Sequence, residues 1–431
     1  MRLDHAARLE RLLARRPDIA AIDGVSGNGT LVVRDQLLVG RRDADSAHHR
    51  AARWVAERRD HHDASVTVLH LRQEAKIDVS DLAAALAASG QPGQHRRLNV
   101  SPNHVMTAAP HWGAGPFDEP APTDSVPPVP RDAATGGAAA GGAVGSAGGG
   151  GGGGRDSRTV RVAILDTGIA AHPWFTAQQW FAECGPDVLE IADADRDRRL
   201  DSVAGHGTFI AGVVMQHAPT AHIMVSRIID GDGVTNELDL VRGLTHVRSH
   251  AKRTKTAIDV VSLSLGCYSH DDNPSPVLQQ AIDAFEPSTV VVACAGNAAS
   301  SRPFWPAALK RVVAVASLNA DGTDRSSFSN YGWWVDASTV GDRVVSTFFD
   351  YAGMGPNGEE KFTGFATWSG TSFAAPRVAG VIATTARRHG VSAVQAASHL
   401  LDRSTKPSMP DLGVLVDTPE TAEASEIAGS H

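Results

Sequence analysis

The sequence contains little cysteine. Only Cys184, Cys267 and Cys294 occur among its 431 residues, and they lie far apart. A disulfide framework needs several cysteine pairs, and a four-ligand zinc site needs closely spaced ligands. The sequence therefore predicts neither of them.

A hydrophobic run long enough to cross a bilayer is also missing. The first residues mix charges and contain no apolar core of signal-peptide length. We therefore expect a soluble protein without a membrane span. We place it in the cytoplasm, and export by another route stays open.

Basic residues are not in surplus either. The formal net charge is -8 and no long basic run occurs. This balance argues against nucleic acid or an anionic membrane surface as the main partner. The length and a hydrophobic content of 42% leave room for two or three domains with a sizeable core.

Residues 1–108 show a mixture of helical and strand patterns, which predicts a small α+β domain. Helical periodicity covers 3–16, 47–58 and 79–88, and strand patterns cover 31–39, 65–71 and 97–106. Residues 109–157 are rich in Pro, Ala and then Gly, and they end in the unbroken run 148–154. Such a segment buries too little apolar surface to offset its ordering entropy, so we expect a flexible linker.

Residues 158–416 alternate apolar strands with helical stretches, and 417–431 form a polar tail. This alternation predicts an α/β domain with a mostly parallel sheet that is covered on both faces. Ligand chemistry is expected at the carboxyl ends of its strands. The predicted strands are 160–165, 222–226, 259–265, 289–293 and 312–316.

Ser372 lies where a loop meets a helix, within the stretch from Ser369 to Pro376. A hydroxyl there lies beside unpaired backbone N–H groups at the positive end of the helix dipole. Pro376 denies the Ser372 carbonyl its ordinary helical partner, which is tolerable only near a first turn. Ser372 is thus a candidate nucleophile, and the alternative is a simple N-cap formed with Thr371.

Three residues at earlier positions in the chain supply the chemistry that a serine nucleophile needs. Asp166 ends a strand, and no second Asp-Thr-Gly occurs, which argues against an aspartic protease. His206 lies between two glycines; alone it would be a structural histidine, but beside an aspartate and a serine it is the expected general base. Asn297 follows a buried strand, where it is either a turn residue or a presented amide donor.

In this order the motifs resemble those of the subtilisin-like serine proteases, the subtilases. The resemblance covers roughly residues 158–388. The segments that carry it are 162–168 (VAILDTG), 205–208 (GHGT), 262–266 (SLSLG), 295–297 (AGN), 305–307 (WPA), 327–332 (SFSNYG) and 370–376 (GTSFAAP). This chain departs from the family pattern at Phe209, Phe373 and Cys294.

The resemblance implies a three-layer subtilisin-like fold and a serine endopeptidase. Ser372 would attack a peptide carbonyl, His206 would move the proton and Asp166 would orient the imidazole, while Asn297 and the Ser372 N–H would hold the oxyanion. An extended substrate would pair as a strand with the edge at 264–266 and with a facing edge at 231–233. The implied substrate-binding residues are Ser264, Leu265, Gly266, Ala295 and Gly296.

Two other functions stay open at this stage. An acyl-enzyme can pass its acyl group to an amine, as a transpeptidase or ligase does, and a subtilase-like domain can bind peptide without catalysis. A sedolisin-type peptidase would use a glutamate base, which the motif around His206 argues against.

We predict no cofactor and no metal ligand set. The acidic run 193–201 alternates carboxylates, but it lacks the glycine and the closing glutamate of an EF-hand loop. Many subtilases bind structural calcium, so calcium stays open here, and a solvated acidic loop is favoured.

The role of the N-terminal domain is the second open question. In many subtilases a small α+β prodomain assists folding, blocks the cleft and is removed. The alternative is a retained domain that regulates the enzyme or recruits substrate, which the long Gly-rich linker would suit.

Overall fold

The computed structural model describes residues 5–22, 30–88, 97–108, 119–130, 158–194, 196–231, 233–355 and 358–417. The predicted Gly run and nearly all of the predicted polar tail lie outside these residues. Within the described part, no helix is both long enough and apolar enough to span a membrane.

The first 108 residues contain an antiparallel sheet with helices packed on it. The elements are α1 (His5–Arg15), β1 (Ile19–Ile22), β2 (Thr30–Gly40), α2 (Ala44–Ala51), β3 (Val55–His61), β4 (Val66–Leu71), α3 (Val79–Ala88) and β5 (Val100–Thr107). The strand order is β3-β4-β2-β5, and β1 pairs with β2. Leu37, Leu69 and Leu82 join the sheet to α2 and α3 in one core.

The predicted helix over 47–58 is too long, because the chain turns after α2 and continues as β3. Most residues of β3 are at least partly exposed and charged, with the burial confined mainly to Val55. A strand that is polar on both faces lacks the period-2 alternation by which strands are found in a sequence.

The larger sheet has eight strands. They are β7 (Arg161–Asp166), β8 (His222–Arg227), β10 (Val260–Leu263), β11 (Val290–Cys294), β12 (Val312–Leu318), β13 (Ala337–Val340), β18 (Ser408–Met409) and β19 (Gly413–Leu415). Their order is β18-β19-β13-β12-β11-β10-β7-β8. All neighbours pair in parallel except β18 and β19, which confirms the predicted mostly parallel sheet.

Helices cover this sheet, and β10 and β11 are buried along their whole length. The helices are α4 (Pro173–Thr176), α5 (Gln179–Ala182), α6 (His206–His217), α7 (Glu237–Thr254), α8 (Pro276–Asp283), α9 (Thr371–His389) and α10 (Ala393–Leu400). α9 packs across β10, β11 and β12 and against α6. The α/β fold class predicted from the sequence is confirmed.

Further short strands lie outside the larger sheet. They are β6 (Ala121–Pro122), β9 (Val234–Asn236), β14 (Val344–Thr347), β15 (Tyr351–Gly355), β16 (Gly358–Phe362) and β17 (Phe365–Trp368). β5 pairs antiparallel with β9, and β6 pairs antiparallel with β17. Two residues of the predicted flexible linker therefore form a strand against the segment that leads into α9.

Candidate active site

Asp166 and His206 form a buried pair at the carboxyl end of the parallel sheet. Asp166 is the last residue of β7 and His206 is the first of α6. Nδ1 of His206 lies 2.8 Å from Oδ1 of Asp166, which also accepts the Thr167 N–H at 2.8 Å. Because an ionised carboxylate only accepts, Nδ1 carries the proton of the neutral imidazole and Nε2 is left as a base. Nε2 has no hydrogen-bond partner among the described residues.

The glycines on either side of His206 are required by close contacts. Gly205 has φ +86°, and a Cβ on it would lie 2.3 Å from the ring of Phe348. A Cβ on Gly207 would lie 2.3 Å from the carbonyl oxygen of Gly168. The Gly-His-Gly pattern thus lets α6 begin directly against the loop that follows Asp166.

Ser372 is the second residue of α9, and its carbonyl has an unusual partner. Pro376 cannot donate to that carbonyl, and Oγ of Ser264 donates to it instead at 2.8 Å. The Ser372 hydroxyl donates to the Ser264 carbonyl at 3.4 Å. The structure shows no hydrogen bond between the Ser372 hydroxyl and Nε2 of His206 within the described part of the chain.

Aromatic rings bring the start of α9 against the imidazole. The ring of Phe373 lies 5.4 Å from that of His206, and the ring of Trp368 lies 5.3 Å from it. Phe209 contacts Phe373 at 4.5 Å between centroids. The two phenylalanines that depart from the family pattern therefore pack together beside the base.

The Asn297 side chain is anchored by the residue before Ser372. Its Oδ1 accepts the Thr371 N–H at 2.8 Å and the Thr371 hydroxyl at 2.7 Å. Because both contacts use the amide oxygen, the orientation of the amide is fixed and its NH2 group is kept as the donor. Asn297 is therefore suited to an oxyanion site.

The predicted substrate edges are already paired with the chain's own strand. Gly266 and Thr107 exchange backbone hydrogen bonds of 3.0 and 3.1 Å, and the Ala108 N–H donates to the Gly233 carbonyl at 3.0 Å. Leu265 is fully buried, and Ser264 is used to hold the Ser372 carbonyl.

The other two predicted substrate-binding residues form the wall beside Asn297. The Ala295 carbonyl accepts the Asn330 side-chain amide at 2.7 Å. The Gly296 N–H donates to the Thr371 hydroxyl at 3.1 Å, and Gly296 has φ +90°. Both residues are thereby fixed relative to the start of α9.

Cys294 lies next to Thr371 and to the candidate nucleophile Ser372. Burial raises the pKa of its thiol to about 12, although hydrogen bonds with Thr371 and Ser372 oppose the shift. The thiolate needed for a cysteine nucleophile is therefore disfavoured, and Cys294 acts here as a buried packing residue.

Carboxylates of the acidic loop accept hydrogen bonds from the backbone of the same loop. The two carboxylate oxygens of Asp193 accept the N–H groups of Asp197 and Arg198, each at 3.0 Å. Oδ2 of Asp201 accepts the Ala194 N–H at 2.8 Å. These acids hold their own loop, and the described residues contain no cluster of three or more His, Cys, Asp or Glu side chains that could hold a metal.

Sequence reasoning missed the supporting roles of Ser264 and Thr371. Ser264 lies 108 residues from Ser372, and Thr371 lies 74 residues from Asn297. The missing N–H of Pro376 was the one signal in the sequence that another donor was needed.

A parallel α/β sheet that carries a buried Asp–His pair, a serine at a helix start and an anchored amide defines a serine-protease type of site. Residues 157–416 match the model of the subtilase family, which is more than half of the chain. The chain belongs to the subtilase family.

Several known proteases are similar to this chain. Thermitase of Thermoactinomyces vulgaris is 32% identical over 51% of this chain and 72% of that protein. Subtilisin BL of Lederbergia lenta is 30% identical over 57% of this chain and 83% of that protein. A thermophilic serine proteinase of Bacillus sp. (strain AK1) is 31% identical over 56% of each chain, so this chain spans about half of that relative.

Among solved structures, the chain is similar to a cold-adapted subtilisin-like serine proteinase. The identity is 22%, the alignment covers 60% of this chain and 89% of that one, and the TM-score is 0.44.

Proposed function

We propose that this chain is a serine endopeptidase that hydrolyses peptide bonds through an acyl-enzyme on Ser372. The observation that carries the proposal is the buried pair of Asp166 and His206, with Nε2 left as a base beside the start of α9. Catalytic hydrogen bonds often tighten only when substrate binds.

The reaction then follows from the roles of these groups. Ser372 attacks the carbonyl carbon of the substrate while Nε2 of His206 takes the hydroxyl proton, and His206 returns that proton to the leaving amine. Asp166 stabilises the imidazolium. The Asn297 NH2 group and the Ser372 N–H hold the oxyanion, and water attacks the acyl-enzyme in the second half of the reaction.

These steps need no cofactor, because acid, base and nucleophile are all side chains of this chain. Side-chain preference for a particular substrate stays open, and a cytoplasmic site of action stays a prediction.

Cleavage of casein and of a chromogenic peptide tests the proposal. We expect hydrolysis by the wild type, and loss of activity in Ser372→Ala and His206→Ala by roughly 10⁴-fold or more. The proposal would be contradicted if neither substrate were cleaved by the wild type or by a Thr107→Pro chain, in which the cleft is expected to be open.

We further propose that the N-terminal domain is an intramolecular inhibitor of this enzyme. The support is the pairing of Thr107 with Gly266 and of Ala108 with Gly233, since these are the edges that an extended substrate needs. A domain that only recruits substrate would leave those edges free.

A buried polar cluster supports the same proposal. Glu237, at the start of α7, is fully buried and lies 2.9 Å from Nδ1 of His104 on β5. It also accepts hydrogen bonds from Ser101 of β5 and from Ser275. Separation of the domains would break the bonds to β5, so the cluster stabilises the closed arrangement.

Thr107→Pro tests the inhibitor proposal because proline cannot donate to the Gly266 carbonyl. We expect the full chain to hydrolyse a short peptide faster after this change, while Thr107→Ser keeps the backbone bond and the inhibition. Ala108→Pro, which removes the bond to Gly233, should act in the same direction as Thr107→Pro. Equal activity in the wild type and all three variants, with residues 1–108 still attached by intact mass, would contradict the proposal.

A further inference from the structure

The carboxyl group of Glu190, which is not part of the proposed catalytic set, lies next to the segments that carry Asp166 and His206. Glu190 is half-buried as a residue, but its carboxyl end is buried, and Oε1 has no partner among the described residues. Its other oxygen, Oε2, accepts the hydroxyls of Thr167 and Thr208, each at 3.2 Å.

The two donors belong to the two segments that carry the candidate acid and base. Thr167 follows Asp166 directly, and Thr208 lies two residues after His206. Glu190 therefore contacts both segments at once.

The threonine hydroxyls extend this contact into a network. Thr167 Oγ1 accepts the Gly207 N–H at 2.9 Å, and Thr208 Oγ1 accepts the Ala170 N–H at 2.9 Å. Each hydroxyl thus accepts a backbone N–H from the opposite segment and donates its own proton to Glu190. Without an acceptor at this position, two buried hydroxyl protons would lose their partner.

The charge of Glu190 acts on the same pair. Burial raises the pKa of the Glu190 carboxyl to about 7, and the nearby carboxylate of Asp166 adds to the shift. Asp166 is the charged neighbour that acts on this carboxyl. The carboxyl therefore becomes ionised only from about neutral pH upward, and in that range its negative charge favours the imidazolium of His206.

We propose that Glu190 is a positioning residue of this active site, which holds the Asp166 and His206 segments together and strengthens the imidazolium of His206 through its negative charge. The inference rests on the proposed function, since it assigns Glu190 to the same reaction. Glu190 contacts neither substrate nor the reacting atoms, and it acts through Thr167, Thr208 and Asp166.

Proton NMR of the His206 Nδ1–H tests this inference without any turnover. In the full-length Ser372→Ala chain, this hydrogen-bonded proton should give a downfield signal whose position follows the titration of His206. Glu190→Gln keeps the size of the side chain and removes its charge. We expect it to lower the titration midpoint of His206 by about half a unit or more.

Two variants separate charge from geometry. Glu190→Asp keeps the charge but is too short to reach both threonines, so it should restore the midpoint. In the chain that keeps Ser372, the same change should leave kcat reduced and KM near the wild-type value. Glu183→Gln is the matched control in the same segment; its carboxylate lies 3.4 Å from His222 and is exposed, and we expect no change.

An unchanged His206 midpoint in Glu190→Gln would overturn the inference, because a merely structural acid would alter stability but not this titration. A shifted midpoint, together with no peptide hydrolysis by the chain that keeps Ser372, would support the role of Glu190 and contradict the proposed function instead.

Discussion

The carbonyl of Ser372 gives a prediction whose size can be worked out from the structure. Pro376 stands where a helical residue would supply an N–H to this carbonyl, and Oγ of Ser264 donates in its place at 2.8 Å. Ser264→Ala should therefore leave a buried acceptor without a partner. Such a loss costs about 1–3 kcal/mol.

Pro376→Ala changes that expectation because alanine returns the missing N–H. In this background Ser264→Ala should cost roughly 1 kcal/mol or less, so the two changes should be coupled by about 1–2 kcal/mol. The assay is thermal unfolding of the four full-length chains, all carrying Ser372→Ala to prevent self-digestion. For a domain of this size each kcal/mol corresponds to about 2–4 °C in Tm.

The test depends on whether the effect of Ser264→Ala on Tm differs between the two backgrounds. If Ser264→Ala lowers Tm by the same amount in the chain that keeps Pro376 and in the Pro376→Ala background, the Ser264 hydroxyl does not replace the helical N–H. That result would refute the reasoning.

Three further predictions concern activity, packing and pH. Asn297→Ala should lower kcat by about 10²–10³-fold with little change in KM, measured on a peptide substrate, because the oxyanion donor acts mainly in the transition state. Gly207→Ala should lower Tm and kcat together, because its Cβ would lie 2.3 Å from the Gly168 oxygen; overpacking of this kind costs about 1–3 kcal/mol. Burial, and then the neighbouring charge of Arg377, lowers the pKa of His217 to about 4. The native state then binds fewer protons than the unfolded chain, so stability should fall as the pH falls from about 6.5 to 4, by at most about 3 kcal/mol. His217→Gln should show a smaller fall in Tm over this window.

Each of these has an outcome that would contradict it. A large rise in KM at constant kcat would mean that Asn297 binds the ground state. Wild-type kcat and Tm in Gly207→Ala would mean that the Gly168 loop can move aside. Parallel Tm profiles of the wild type and His217→Gln would mean that His217 does not contribute to acid sensitivity.

The fold and the position of the site could be predicted because their signals are local. Buried strands such as β10 and β11 are continuous apolar runs, and the residues at their ends carry the motifs. Strands without such runs escape prediction; β3 is charged and largely exposed, and β19 has three residues.

The supporting contacts could not be predicted because they depend on distant pairs. Glu190 lies in a segment without any motif, and its role becomes visible only when the fold brings Thr167 and Thr208 to the same oxygen. The pairing of Thr107 with Gly266 likewise joins residues far apart in the chain.

Covalent labelling with a fluorophosphonate tests the central claim most directly, because this reagent reacts with a serine that a neighbouring base has activated. The reaction should be run on the wild type, Thr107→Pro and Thr107→Pro with His206→Ala, and the modified residue identified by peptide mass spectrometry. We predict an adduct on Ser372 in the Thr107→Pro chain that is lost when His206 is replaced. The absence of any adduct on Ser372, or an adduct that forms equally fast without His206, would contradict the account.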